Sequence, residues 1–227
     1  MEKIIFHKET KTFHLYNEEI SYIMCVLENG HMGQLYYGKR IHDKPDFSYL
    51  VEKCGRPMTS YIFEGDRSFS LEHIRQEYPV YGTTDYRHPA IEIMQENGSN
   101  ISEFKYVGYE ILKGKPSLKG LPATYTESEE EAETLKIILK DDLTGAKLIL
   151  LYTIFSKGSA IARSAYICNE GEKVLHLQTM MSLNLDLPDK DYVWMQLSGA
   201  WSRERYVKNR IRTGHYCNRQ YARKFFA

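Results

Sequence analysis

Short runs of β-branched and aromatic residues, separated by turn residues, recur along most of this 227-residue chain. Asn29-Gly30 and Asn97-Gly98 accept the positive φ of tight turns, and segments 141–145 and 170–172 provide two further polar connections. Alternating segments at such spacing are typical of antiparallel sheets. We therefore predict an all-β fold, a large antiparallel β-sandwich (a supersandwich) with long irregular loops.

The alternation predicts individual strands and their pairing. Strands are expected at 12–16, 21–27, 34–37, 90–95, 103–112, 133–139, 146–155, 159–169 and 173–186. Each short polar connection between two of them predicts a hairpin, because antiparallel neighbours need only a tight turn. The pairs expected on this basis are 21–27 with 34–37, 90–95 with 103–112, 133–139 with 146–155, and 159–169 with 173–186.

Two stretches interrupt this pattern. Segment 38–89 is long, irregular and punctuated by prolines, and 113–122 is a shorter loop rich in glycine and proline. Loops as long as the first are usually functional or mobile in a compact domain. No internal repeat divides the chain, so we predict one domain over 1–214, followed by an atypical tail at 215–227.

The composition argues against several classes of partner. The formal net charge is zero, which gives the whole chain no general field for nucleic acid or membrane. From Arg203 onward the chain contains eight Arg or Lys residues and one Glu, but no RNA-binding, zinc-finger or helix-turn-helix motif accompanies them. The four cysteines are scattered, and neither a leader-like apolar segment nor a membrane-length run is present. We expect a cytoplasmic protein with reduced thiols and no nucleic-acid or membrane partner.

Catalytic signatures are missing from the sequence. Glycoside hydrolysis commonly needs a pair of carboxylates, and none of the many acidic residues lies in a recognisable nucleophile or acid/base motif. The eight histidines form no metal-binding cluster, and no phosphate-binding glycine loop or serine elbow occurs. We therefore predict no catalytic residue, no metal and no cofactor in this chain.

Three polar-aromatic motifs suit recognition of sugars. Asp66 and Arg67 lie side by side after a glycine, where they either read hydroxyl groups or form a local ion pair that pins the loop. Asp85 and Arg87 either read a polyhydroxyl ligand or clamp the loop onto the strand that follows. Trp201, preceded by small residues, either stacks on a pyranose ring or packs in the edge of the sandwich.

These motifs, taken in order, resemble the N-terminal β-sandwich domain of glycoside hydrolase family 36, the α-galactosidases. The resemblance runs through nearly the whole chain and rests on segments 11–16, 35–39, 63–89, 96–99, 113–125, 131–135 and 191–205. Several independent motifs in the same order make it far more specific than any single one.

The resemblance implies a function for which this chain lacks the catalytic part. Family members hydrolyse terminal α-galactosyl groups of melibiose, raffinose and related sugars with retention, using aspartates on a (β/α)8 barrel that follows this domain. The N-terminal domain packs on that barrel, and in tetrameric members its loops help wall the active site of a neighbouring subunit. On this basis Asp66, Arg67, Trp201 and Arg203 are the expected substrate contacts, and a homo-oligomer binding α-galactosides is the expected assembly.

The end of the chain departs from the family pattern. After segment 212–214 the family continues with a Gly/Ser/His-rich segment that 215–227 does not match, so we expect a truncated or frame-shifted form. Two alternatives stay open beside the non-catalytic domain. In the first alternative the chain is a stand-alone carbohydrate-binding module. In the second it is a complete enzyme of another kind.

Overall fold

The computed structural model describes residues 3–55, 58, 60–120, 123–187 and 192–211. The predicted domain boundary at 214 and the predicted tail therefore lie outside the described residues. The strands are β1 (Ile4–His7), β2 (Thr12–Tyr16), β3 (Ile20–Val26), β4 (Met32–Lys39), β5 (Ile91–Gln95), β6 (Lys105–Lys113), β7 (Ala132–Lys140), β8 (Ala146–Phe155), β9 (Ile161–Asn169), β10 (Leu175–Met180), β11 (Val193–Ala200) and β12 (Arg203–Ile211). Two single 3-10 turns, Ser48–Leu50 and Glu129–Glu131, complete the described elements.

Two four-stranded antiparallel sheets form the body of the domain. The front sheet has the order β1-β2-β3-β4 and the back sheet the order β6-β7-β8-β9, while β5 pairs with β10 and β11 with β12. The prediction of an all-β sandwich is confirmed. In the described part of the chain, no helix has the length and apolar character needed to cross a membrane.

Alternation along the strands places the main core between the two sheets. Ile20, Tyr22 and Met24 of β3 belong to one buried cluster with Leu135 and Ile137 of β7. Successive side chains of a strand point to opposite faces, so residues two apart share a face. This period explains why the same strand contributes to a second core on its other side.

That second core is made by the long loop. Ile23 and Cys25, on the outer face of β3, pack with Phe47, Phe69 and Leu71 of segment 40–89. The front sheet is therefore covered on both faces, and burial raises the pKa of the Cys25 thiol to about 12. The loop predicted to be irregular is irregular, but its aromatic residues form part of the core.

The predicted hairpins are half right. Strand β3 pairs with β4 and β7 with β8, as expected. The hairpin of 90–95 with 103–112 is wrong, since β5 pairs with β10 and β6 pairs with β7. The hairpin of 159–169 with 173–186 is also wrong, because β9 pairs with β8 whereas β10 pairs with β5 in another sheet. Turn residues specify that the chain reverses, but they do not specify which sheet the next strand joins.

A buried histidine ties the front sheet to the start of the long loop. His14 Nδ1 lies 2.7 Å from Asp43 Oδ1, and His14 Nε2 lies 2.9 Å from Ser21 Oγ. The Ser21 hydroxyl oxygen also accepts the Ile41 backbone N–H at 3.1 Å. The two bonds are satisfied together when neutral His14 donates from Nδ1 and the Ser21 hydroxyl donates to Nε2.

Acidification is expected to weaken this connection. Burial lowers the pKa of His14 below its ordinary 6.5, against the raising effect of Asp43. Burial by itself raises the pKa of Asp43, but hydrogen bonds from His14 and His7 bring it below 3.8. Both groups bind fewer protons in the folded state, so their stabilisation is complete above their ordinary pKa values and is lost as the pH falls through the folded ones.

The test compares urea unfolding of the wild type and a His14→Gln variant between about pH 7 and pH 5. We expect the difference in the free energy of unfolding to shrink as the pH falls. A His42→Gln variant, which changes an exposed histidine of the same loop, should follow the wild type at every pH. Parallel curves for the wild type and His14→Gln would contradict the assignment.

Candidate functional site

A charged cluster lies sealed between the two sheets and the end of the long loop. The Glu77 side chain has no exposed surface, and Arg163 of β9, 9% exposed, lies with Nη2 3.0 Å from Glu77 Oε2. Tyr22 donates to the same carboxylate at 2.7 Å and Tyr152 at 2.8 Å. Arg163 also donates to the Asn184 carbonyl at 2.8 Å. The cluster joins the front sheet, the back sheet and the loop.

The buried environment of this cluster favours a role in stabilising the fold over a role in catalysis. Burial raises the pKa of Glu77, while Arg163 and the two tyrosine hydroxyls oppose that shift. Burial also raises the pKa values of Tyr22 and Tyr152 well above the usual range of tyrosine. Each hydroxyl therefore keeps its proton and remains a hydrogen-bond donor. A carboxylate enclosed in this way is out of reach of a glycosidic bond, which a catalytic pair has to flank.

Asp85 and Arg87 form a clamp within the long loop. Asp85, 1% exposed, accepts from Arg87 Nε at 2.9 Å and from Gln76 Nε2 at 2.7 Å. Arg87 Nη2 also donates to the Leu71 carbonyl at 2.6 Å. These contacts favour a clamp over a ligand-reading role, and they join Asp85 and Arg87 to Gln76 and Leu71 of the same loop.

Asp66 and Arg67 lie on an outer turn of the same loop. The Asp66 carboxylate accepts from the Ser68 hydroxyl at 2.6 Å and from the Ser68 backbone N–H at 2.8 Å. These bonds hold the pKa of Asp66 below its ordinary value. Arg67 is exposed, and no salt bridge within the described ranges joins it to Asp66. The local ion pair considered for this motif does not form, and the substrate role of both residues stays a prediction.

Trp201 occupies the tip of the β11–β12 hairpin. Ala200 pairs with Arg203, so Trp201 and Ser202 form a two-residue connection, with Ser202 at φ 62°. Gly199 allows this tight turn, because a Cβ atom there would lie 2.3 Å from the Arg203 carbonyl oxygen. The Trp201 side chain is 91% exposed. Packing in the sandwich edge is therefore excluded for Trp201 in this structure, and Arg203 is exposed beside it.

One face of this hairpin is apolar and open. Alternation places Val193, Met195 and Leu197 of β11 on the same side as Val207 of β12, which pairs with Leu197. Each of these four side chains is more than half exposed, from 57% to 67%. In the described part of the chain, no hydrogen bond or salt bridge brings this hairpin together with Asp66 or Arg67. The four predicted residues thus lie on two separate exposed elements.

Arg163 and Glu77 are the residues that sequence reasoning missed. A signal for Arg163 exists in the alternation of β9, because Ile161, Ala165 and Ile167 pack against the main core. The period of two puts Arg163 on that same inward face, where a cation needs a buried partner. Only the fold identifies the partner as Glu77, 86 residues earlier in the chain.

Comparison with known proteins assigns the domain to a family. The sequence profile of the glycosyl hydrolase family 36 N-terminal domain matches residues 30–217. Alpha-galactosidase AgaA of Geobacillus stearothermophilus is 41% identical over 207 residues, which are 91% of this chain and 28% of that protein. Alpha-galactosidase 1 of Pediococcus pentosaceus is 34% identical over 213 residues, again 91% of this chain and 28% of that protein.

Solved structures agree in fold. The α-galactosidase from Lactobacillus brevis superposes with a TM-score of 0.88 at 37% identity, over 92% of this chain and 28% of that chain. An AgaA variant in complex with raffinose superposes with a TM-score of 0.83 at 41% identity, over 89% of this chain and 28% of that chain. This chain thus spans less than a third of the length of these relatives. With the profile match, the sequence identities and the superpositions pointing the same way, the chain belongs to glycoside hydrolase family 36, in which it corresponds to the N-terminal domain.

Proposed function

We propose that this domain is the non-catalytic N-terminal part of an α-galactosidase acting on terminal α-galactosyl residues of melibiose- and raffinose-type sugars. The relatives that support it are α-galactosidases, and one of them has been solved with raffinose and with stachyose. Within this proposal the catalytic carboxylates belong to the part of the enzyme that this chain does not cover. The enclosed position of Glu77 agrees with a supporting role for the domain.

The exposed tip of the β11–β12 hairpin is the observation on which the proposal rests. An indole that is 91% exposed on a tight turn is an unusual use of the largest aromatic side chain. Its face suits the CH-rich side of a pyranose ring, and its N–H adds one hydrogen-bond donor. In the proposed enzyme, Trp201 forms part of an active-site wall, with Arg203 next to it. Asp66 and Arg67, on an outer turn of the long loop, form a second part of the proposed active-site wall.

The apolar hairpin face supports a scaffold and oligomer role. Val193, Met195, Leu197 and Val207 form a contiguous open strip on a two-stranded ribbon. Isolated two-stranded ribbons are marginally stable in water, and large apolar patches usually mark interaction surfaces. In the proposed enzyme this strip is buried against the catalytic part or against a neighbouring subunit.

A chimera tests the proposal. Residues 1–211 of this chain replace the corresponding segment of AgaA from Geobacillus stearothermophilus, with which the chain shares 41% identity. We expect the chimera to fold, to assemble as AgaA does, and to release galactose from raffinose. AgaA lacking the segment altogether is the control and should be inactive. A folded chimera no more active than that control would refute the proposal.

A stand-alone carbohydrate-binding module is the second candidate. The 91% exposure of Trp201 also favours it, because an open aromatic face can bind a sugar without a catalytic partner. Calorimetric titration of the full chain with melibiose separates the two. Saturable heat that disappears in a Trp201→Ala variant supports the module, while the non-catalytic domain predicts no such heat at the hairpin.

A further inference from the structure

The tripeptide Glu-Asn-Gly occurs twice in the chain, at 28–30 and at 96–98. Both copies form a turn of the same type, in which the glycine has a positive φ of 87° in the first copy and 81° in the second. In each turn the glycine N–H donates to the carbonyl oxygen three residues earlier, at 2.8 Å and 2.9 Å respectively. One chemical motif thus recurs in one backbone geometry, and the two copies differ in their surroundings.

An asparagine followed by glycine has an intrinsic reaction, and asparagine is one of the thermolabile residues. The glycine nitrogen attacks the side-chain Cγ of the asparagine, so a C–N bond forms while the Cγ–Nδ2 bond breaks and ammonia leaves. Water then opens the cyclic imide at either carbonyl, which yields aspartate or isoaspartate, and the oxygen of that water enters the new carboxyl group. Glycine favours the attack because it has no Cβ atom to hinder the approach.

A backbone hydrogen bond prepares both asparagines for this attack. The Ser99 N–H donates to Asn97 Oδ1 at 3.0 Å, and the His31 N–H donates to Asn29 Oδ1 at 3.3 Å. Such a donor stabilises the negative charge that develops on the oxygen during attack. The attacking nitrogen is engaged in the hydrogen bond of the turn, so the turn has to open before the ring can close. The free energy of opening therefore decides which asparagine reacts.

The turn at Asn29 is held by both sheets. It connects β3 to β4, which pair with each other along their length. The Gly30 carbonyl accepts the Tyr106 N–H of the back sheet at 2.8 Å, and the Lys105 side chain lies 3.3 Å from the place that a Gly30 Cβ atom would occupy. Asn29 Nδ2 is shielded from solvent. Opening this turn disturbs contacts in the front sheet and between the sheets.

The turn at Asn97 projects from the end of β5. Asn97 and Gly98 are exposed, and apart from its chain neighbours no described residue has an atom within 4 Å of the place that a Gly98 Cβ atom would occupy. Gln95 closes the turn, since its N–H donates to the Ser99 carbonyl at 2.9 Å. The chain after the turn leaves β5, whose partner is β10, so this turn opens without separating a hairpin of paired strands.

We propose that Asn97 is a site of spontaneous deamidation in the folded protein and that the fold protects Asn29. The reaction places a carboxylate beside Glu96, whose Oε1 accepts the Val174 N–H at 3.4 Å just before β10. In the isoaspartate product the main chain is longer by one methylene group, which changes the spacing of the turn closure. Deamidation thus alters charge and shape next to the β5–β10 pair, and it does not depend on the proposed function.

Incubation of the full chain in mildly alkaline buffer, followed by digestion at acidic pH and tandem mass spectrometry, tests the proposal. Heavy-oxygen water labels carboxyl groups that form during the incubation and distinguishes them from those that form later. Asn97 should be converted at least about tenfold faster than Asn29, because only the turn at Asn97 opens without disturbing both sheets. Aspartate and isoaspartate peptides, which separate by chromatography, should both appear.

The same measurement on the chain unfolded in guanidinium chloride is the matched control. Both asparagines lie in Glu-Asn-Gly, so their rates should agree within about threefold once the fold is lost. In the unfolded chain, Gly98→Ala should slow conversion of Asn97 at least about tenfold and leave Asn29 unchanged, because a methyl group hinders the attacking nitrogen.

Three results would overturn the proposal. The first is retention of Asn97 in the folded chain, and the second is conversion of both asparagines at equal rates in the folded chain. The third is a difference in rate that persists in guanidinium chloride, because the fold would then not be its cause. An unchanged rate in the unfolded Gly98→Ala variant would exclude the cyclic imide as the intermediate and would overturn the proposal as well.

Discussion

Replacing Arg163 with methionine is expected to lower the free energy of unfolding by about 3–5 kcal/mol. The substitution leaves Glu77 buried without its cation, and the Glu77 side chain has no exposed surface through which water could compensate. It also removes the donor to the Asn184 carbonyl, which joins β9 to the segment after β10. Urea denaturation followed by far-UV circular dichroism measures the loss.

An exposed ion pair provides the matched control. Lys136 on β7 lies 3.0 Å from Glu110 on β6, with side chains 29% and 53% exposed. Lys136→Met should cost no more than about 1 kcal/mol, because water screens the pair and solvates the remaining charge. A double variant, Glu77→Leu with Arg163→Met, should lose less than the sum of its single substitutions, because no unpaired charge remains. Equal losses for Arg163→Met and Lys136→Met would show that the buried pair does not stabilise the fold.

Replacing Trp201 with alanine in the AgaA chimera is expected to lower kcat/KM for raffinose about tenfold to a hundredfold. The reason is the proposed position of the indole in the active-site wall, where truncation removes a stacking face and opens the site to water. Melting temperature should not change, because the side chain is 91% exposed in the domain and fills no part of the core. Initial rates and thermal unfolding of the same preparations provide the two measurements.

Two further variants make this result interpretable. Trp201→Phe keeps an aromatic face and should recover part of the loss in kcat/KM. Leu143→Ala truncates a side chain that is 79% exposed in the β7–β8 turn and should leave both rate and stability as they are. A Trp201→Ala chimera with unchanged kcat/KM, or one that fails to fold, would remove Trp201 from the active-site wall.

Local sequence patterns located most strands correctly. The bounds of β2 and β8 coincide with the predicted 12–16 and 146–155. The alternation that predicts a strand and the turn residues that end it lie within ten or so neighbouring positions, and the same neighbours determine the backbone conformation. The pairing of β5 with β10 was not predictable in this way, because the Asn97-Gly98 turn is present but the chain after it enters the back sheet.

At the candidate site, too, the sequence identified the residue types but not their burial. A carboxylate beside a guanidinium was recognisable at both Asp66-Arg67 and Asp85-Arg87, but the sequence could not say which pair is exposed. The structure buries Asp85 at 1% exposure behind Gln76 and Arg87, whereas Asp66 lies on an outer turn and accepts hydrogen bonds from its near neighbour Ser68. Burial depends on how the loop folds back on itself, and no alternation pattern within the loop specifies the contact between Gln76 and Asp85.

By itself, the sequence determined the all-β class, the position of most strands and the family, because these depend on local alternation and on motifs in a fixed order. Only the tertiary structure decided that the long loop covers the front sheet, that Trp201 is open to solvent, and that Glu77 meets Arg163 across 86 residues. Those outcomes depend on which apolar faces are buried against each other and on which buried charges then find partners. Such contacts join segments far apart in the chain, and no local pattern encodes them.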